Sequence, residues 1–228
     1  MSTRRALAGA FALALLVLGG CSSTTTTATP TAVTPAATDL LAGSSSAMSS
    51  VTSAGFGLKV DGQLPSVAVQ TAQGVLTAAG DAKGTATIVQ FGQLIEAEFV
   101  LVGGELYVKG ATGGFAKVPA ALAGSLYDPA AILDPGKGVA KVLASVQNPT
   151  ITGSDGGAWL VSGTVPADVI GALVPGISTD VTAVFTVEMT GAQLSAATFT
   201  LDGADGKPAT VTVELSDLNQ PVSISPPG

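Results

Sequence analysis

One cysteine and no histidine leave this 228-residue chain few ways to do chemistry. The thiol is Cys21, directly behind Leu18-Gly19-Gly20. A lone thiol makes no intrachain disulfide and no zinc cluster of several thiolates. Without imidazole there is no Ser-His-Asp or Cys-His relay, no histidine metal site and no histidine pH switch. Carboxylates and hydroxyls remain. Glu96 and Glu98 are spaced i, i+2, so on a strand they share one face and mark it as solvated. Asp128 and Asp134 each precede a proline, which places them as helix caps. Ser44-Ser45-Ser46 has no base partner, and Trp159 reads as packing. Gly113-Gly114 and Gly156-Gly157 read as turns, since neither has a phosphate-loop pattern. The expectation is no enzyme, no metal and no cofactor.

Composition points the same way. Apolar residues make up 46% of the chain and charged residues 11%, less than half the ~25% usual for soluble domains. Nine basic against sixteen acidic residues give a net charge of −7, which disfavours a phosphate-backbone binder. Aromatics at 4% disfavour base-stacking platforms. No nucleic-acid partner is expected.

Residues 1–20 read as an address rather than fold. Arg4 and Arg5 precede an uncharged apolar run from Ala6 to Leu18, too short for the ~20 residues of a spanning helix. Leu18-Gly19-Gly20-Cys21 resembles a bacterial lipobox, cleaved just before the cysteine. That implies a diacylglyceryl thioether on Cys21 and an acylated new N-terminus. Several acyl chains suffice for stable anchoring, which places the chain on the outer, periplasmic face of the cell membrane. Residues 22 to about 36 are Ser, Thr, Ala and Pro with one branched aliphatic, Val33. Such a segment cannot bury enough apolar surface to offset its ordering entropy. Residues 21–37 are therefore expected to be the lipidated cysteine and a disordered tether, and 38–228 a single domain.

The elements that would position any site follow from periodicity. Leu40, Leu41, Ala47, Met48 and Val51 fit one helix face, with Thr38 or Asp39 as cap and Gly55 as breaker. The period then becomes two: Phe56, Leu58 and Val60; Ile95, Ala97, Phe99 and Leu101; Leu106 and Val108 after the Gly103-Gly104 turn. A helical middle follows. Ile132 and Leu133 lie on a short helix after Asp128-Pro129. Val139, Val142, Leu143 and Val146 lie at i, i+3, i+4, i+7 after Asp134-Pro135, ending at Asn148-Pro149. Residues 158–165 read as a strand, and 166–174 as a helix with Val169, Ile170 and Leu173 inward. Val181, Ala183, Phe185, Val187 and Met189 share a face; then come Ala197, Phe199 and Leu201, a turn over 202–206, and Val211, Val213 and Leu215. Strands, helices, then strands argue an α+β fold with an antiparallel sheet and helices on one face. Its aliphatic interior fits a filled core or an apolar cavity, and periodicity does not separate the two.

The central block carries a resemblance. Tyr127-Asp128-Pro129, Ile132-Leu133-Asp134, Gly138 and Val146-Gln147-Asn148-Pro149-Thr150-Ile151 with Gly153 resemble the mycobacterial LppX/LprA/LprF/LprG lipoprotein family, on its LprA/LprF/LprG side. Phe99-Val100-Leu101-Val102, Leu106-Tyr107, Val161-Ser162-Gly163-Thr164-Val165, Leu215-Ser216-Asp217 and Pro221-Val222 agree. The resemblance implies a curved antiparallel half-barrel with helices on its concave face, enclosing a hydrophobic cavity. It implies an envelope carrier of acylated lipids or glycolipids of the triacylglycerol, phosphoinositol mannoside or lipoglycan type, working outward from the cytoplasmic membrane with a membrane exporter as partner. The expected cavity lining is Leu58, Val60, Ile95, Phe99, Leu101, Phe185, Val187, Phe199, Val211 and Val213, under a helical lid of Val139, Val142, Leu143 and Val146. The alternative is an anchored interaction or assembly lipoprotein with a filled core and no ligand.

Overall fold

A computed structural model describes residues 34–64, 69–90, 92–110, 113–119, 129–174, 177–204 and 206–228. The signal segment, Cys21, most of the tether, Tyr127 and Asp128 lie outside the described residues. Residues Pro35–Gly228 make one compact unit. Helix α1 (Ala37–Ser49) leads into β1 (Ser53–Asp61), β2 (Val69–Thr77), β3 (Ala82–Gln90), β4 (Gln93–Val102), β5 (Glu105–Lys109) and β6 (Ala116–Lys117). A 3-10 turn (Pro129–Leu133) and α2 (Val139–Ser145) follow, then β7 (Gln147–Asp155), β8 (Ala158–Val165), α3 (Ala167–Leu173), β9 (Val181–Glu188), β10 (Leu194–Asp202) and β11 (Pro208–Ser216).

All eleven strands form one open sheet, in the order β6-β5-β4-β3-β2-β1-β11-β10-β9-β8-β7. Each half is an antiparallel meander, and the first strand pairs with the last from Gly55↔Ser216 to Asp61↔Thr210. The architecture is thus the expected α+β one, a curved antiparallel sheet with helices. Its alternation is clear in β11, where Ala209, Val211, Val213 and Leu215 are buried and Glu214 is exposed. Inward residues of β1, β9, β10 and β11 meet Leu41, Met48, Ile132, Val142, Leu143, Ile170 and Leu173 in one core. Phe185 and Phe199 meet edge to face, 6.1 Å between centroids, a geometry contributing about 1 kcal/mol beyond burial.

The structure departs from the sequence-based expectation in several places. Strands β2 and β3 carry little apolar signal. Gly74 lies opposite Gly84, and a Cβ on either would come within 2.1 Å of a backbone oxygen of the other strand. Larger residues are excluded where these strands approach closest. Helix α1 is capped by Ala36 with no side-chain bond, so Thr38 and Asp39 lie inside its first turn. It ends at Ser49, and Gly55 belongs to β1, where a Cβ would stand 2.6 Å from Ser216 Oγ.

Asp134-Pro135 opens a turn, not a helix. Asp134 Oδ1 accepts from the Gly136 and Lys137 N–H groups at 2.8 and 3.1 Å, and Gly138 N–H donates to the Asp134 carbonyl at 2.7 Å. Gly138 then caps α2. A Cβ there would sit 2.4 Å from the Ile132 carbonyl oxygen and 2.5 Å from that of Asp134. Residues Pro129–Leu133 form a single 3-10 turn in place of the expected helix. Val146 is extended (ψ 129°) and lies beyond α2. Its side chain covers Gly163, where a Cβ would stand 2.3 Å from Val146 Cγ1. Asn148 and Pro149 belong to β7, with Asn148 at φ 49° and the pairing register shifting between Gln147 and Thr150. That bulge and proline suit a strand at the sheet edge.

Helix α1 packs on α2, with Ser45 Oγ donating to the Ala140 carbonyl at 2.7 Å. Ser44 is fully buried beside it, and its hydroxyl has no hydrogen-bond partner. Two outcomes follow for urea unfolding. Gly138→Ala should lose about 1–3 kcal/mol, because overpacked backbone must shift. Ser44→Ala should gain on the order of 1 kcal/mol, because it removes a buried unsatisfied hydroxyl from a helix.

Candidate functional site

An apolar space lies between the sheet and the short helices. Leu58 of β1, Ala197, Phe199 and Leu201 of β10, and Val211 and Val213 of β11 form its sheet wall. Ile132, Val139, Ile170, Leu173, Val174 and Ile177 form the other wall. Period-two alternation turns the strand residues inward, and the seven-residue helices α2 and α3 each present one apolar face. The enclosed cavity is about 30 Å³. That is roughly the share of one water in the liquid, against about 300–1,000 Å³ for pockets that hold drug-sized ligands. The space as it stands is too small for an acyl chain.

This arrangement offers hydrocarbon contact and nothing else, since no titratable or hydroxyl side chain lines the cavity. Perturbed acid–base groups lie elsewhere, on the exposed β5–β6 ribbon. There a hydrogen bond from Lys117, and then one from Tyr107, hold Glu105 below the usual carboxylate range. The same carboxylate raises the Lys117 ammonium and the Tyr107 phenol. Among the described residues no cluster of three His, Cys, Asp or Glu is placed to hold a metal ion.

A larger space lies on the opposite face of the sheet. It is an open trough of about 620 Å³ lined by Lys59, Asp61, Thr71, Gln73, Thr85, Thr87, Glu96, Thr212 and Glu214, with Gly57 on its floor. Leu58 and Ala72 contribute to it as well, so its lining is mixed where that of the inner space is wholly apolar. Glu98 lies on the same outward face and pairs with Lys109 at 2.8 Å.

Of the residues expected to line a cavity, Leu58, Val139, Phe199, Val211 and Val213 wall the apolar space. Val60, Phe99, Val142, Leu143, Phe185 and Val187 are buried in the common core outside it. Ile95, Leu101 and Val146 are half-buried, and Val146 belongs to no helix. Cys21 lies outside the described residues. Ile132, Ile170, Leu173, Ala197 and Leu201 sit on apolar faces legible in the sequence, but no spacing assigns them to a cavity. Val174 and Ile177 fall at and beyond the end of α3, where periodicity gives no signal.

Known proteins share this architecture. Residues 36–224 match the LppX_LprAFG lipoprotein family. The "Lipoarabinomannan carrier protein LprG" of Mycolicibacterium smegmatis is 32% identical over 223 residues, 95% of this chain and 92% of that protein. Lipoprotein LprA of Mycobacterium tuberculosis is 31% identical over 236 residues, 97% of this chain and 96% of its own. The crystal structure of LprF from Mycobacterium bovis superposes with a TM-score of 0.74 at 26% identity, covering 85% of this chain and 98% of that one. The chain belongs to the LppX_LprAFG lipoprotein family.

Proposed function

We propose that this protein is an envelope lipoprotein that carries acylated lipids or glycolipids outward from the cytoplasmic membrane. Its anchor is Cys21, which sets it on the outer, periplasmic face. The observation that carries this reading is the wholly apolar space between β1, β10, β11 and the two short helices. Acyl chains pass from bilayer to such a space at little net transfer cost, since both are hydrocarbon-like. In water each exposed CH₂ would cost ~0.8 kcal/mol, and shielding it across the aqueous gap is the carrier's task. Helices of two turns have little stability of their own. They are held here by side-chain packing, so the wall they form yields more easily than the hydrogen-bonded sheet. The name of LprG points to a lipoarabinomannan-type cargo. The reading extends to triacylglycerol or phosphoinositol mannoside, with a membrane exporter as partner.

The volume of about 30 Å³ favours a second reading, an anchored interaction lipoprotein with a filled core. Lipid mass spectrometry separates the two. A version starting after Cys21, purified without detergent from a mycobacterial host, should contain an acylated lipid in stoichiometric amount. Val139→Trp, which fills the space from α2, should lose that lipid while keeping the circular dichroism spectrum of the parent. A folded protein that contains no lipid and takes up none when offered supports the filled-core reading and overturns the carrier.

A further inference from the structure

The alternation of β3 and β4 fails at their shared end. Along most of this hairpin the outward residues are polar, Thr85 and Thr87 facing Glu98 and Glu96. In the last apolar pairs both faces become hydrocarbon. Ile88 opposes Ile95 on the inward side, and Val89 opposes Leu94 on the outward side. Leu94 is 68% exposed, the most of any large apolar side chain among the described residues, and Val89 is 39% exposed. No charged residue occurs from Gly84 to Ile95, although the chain as a whole carries −7. Val89 and Leu94 thus form an adjacent exposed apolar pair at an uncharged tip.

The tip's position gives it a use. β1 ends, β10 ends and β11 begins at this end of the sheet, and Leu201 and Val211 wall the apolar space there. The exposed tip and one end of the hydrocarbon-lined space therefore share an end of the molecule. Residues 22–36 between Cys21 and α1 reach at most about 50 Å when extended, which holds the domain beside any bilayer that holds the cysteine.

We infer that the β3–β4 tip is a membrane-contact element that enters the bilayer surface and turns the Leu201–Val211 end of the apolar space toward hydrocarbon. The inference rests on the anchored-carrier reading. Its partner is a bilayer with a neutral surface. Charges at this end of the sheet are mixed, with Lys59 paired to Asp61 at 2.9 Å and with Asp202 and Lys207 flanking the β10–β11 turn, so burial of Val89 and Leu94 drives the contact.

The test uses the full chain with Trp159→Phe and a new tryptophan at one of two exposed apolar sites. Leu94→Trp reports on the tip, and Met189→Trp reports on the opposite end of the sheet, just past β9. Each is incorporated into phosphatidylcholine vesicles with bromine-labelled acyl chains. Leu94→Trp should show blue-shifted emission and severalfold stronger quenching than Met189→Trp, with no increase when anionic lipid is added. Equal quenching at both sites, or none at Leu94→Trp, overturns the inference. A blue shift of Leu94→Trp that needs protein concentration but no vesicles also overturns it, in favour of a second copy of the chain. Mass spectrometry of Cys21 on the same sample separates this from the underlying reading. Quenching without acylation retains the tip and removes the anchor, whereas an acylated, lipid-loaded chain without quenching removes the tip alone.

Discussion

The pairing of the first strand with the last holds the rest of this structure in place. β1 and β11 lie side by side at the middle of the sheet, although about 150 residues separate them in the chain. Closing a loop of that length costs on the order of 4 kcal/mol in chain entropy beyond the constant term. The return comes from a seven-residue ladder and from the inward rows Phe56, Leu58, Val60 and Val211, Val213, Leu215. Without this seam there are two separate meanders, each with a bare apolar face. With it there is one continuous concave face, and the helical segments between β6 and β9 have a surface to cover.

Those coverings are small. A five-residue turn and two helices of seven residues lie over the centre of the sheet, helped by α1. The aliphatic side chains beneath them fill most of the volume, so the remaining space is hydrocarbon-lined but tight. The lining is wholly aliphatic and aromatic, so it offers apolar contact and no ionisable group. Enlarging this space takes motion of the short cover or of the open sheet.

Much of this was legible in the sequence where one face of an element meets core and the other meets water. Residues 181–188 and 211–215 alternate cleanly for that reason. β2 and β3 were not legible, because Gly74 and Gly84 remove side chains where a strand pattern would show them. Asp134-Pro135 misled because the same dipeptide starts helices and turns, and here the Gly138 amide closes the turn on the Asp134 carbonyl. Val146 fits a helical spacing yet serves as an extended cover over Gly163. In the site, Leu58, Val139, Phe199, Val211 and Val213 were readable as inward apolar positions. Ile177 was not, because loops have no period. Cavity and core were inseparable in sequence terms, since both demand the same aliphatic residues.

The sheet is open, with β6 and β7 at its two ends and no pairing between them. In a closed barrel the strand count and stagger set the radius, and enlarging the interior means breaking a ladder. In an open sheet the curvature relaxes while every backbone hydrogen bond stays intact. Only side-chain contact across the concave face resists. The interior of this fold is therefore elastic, set by side-chain packing rather than by a fixed circumference.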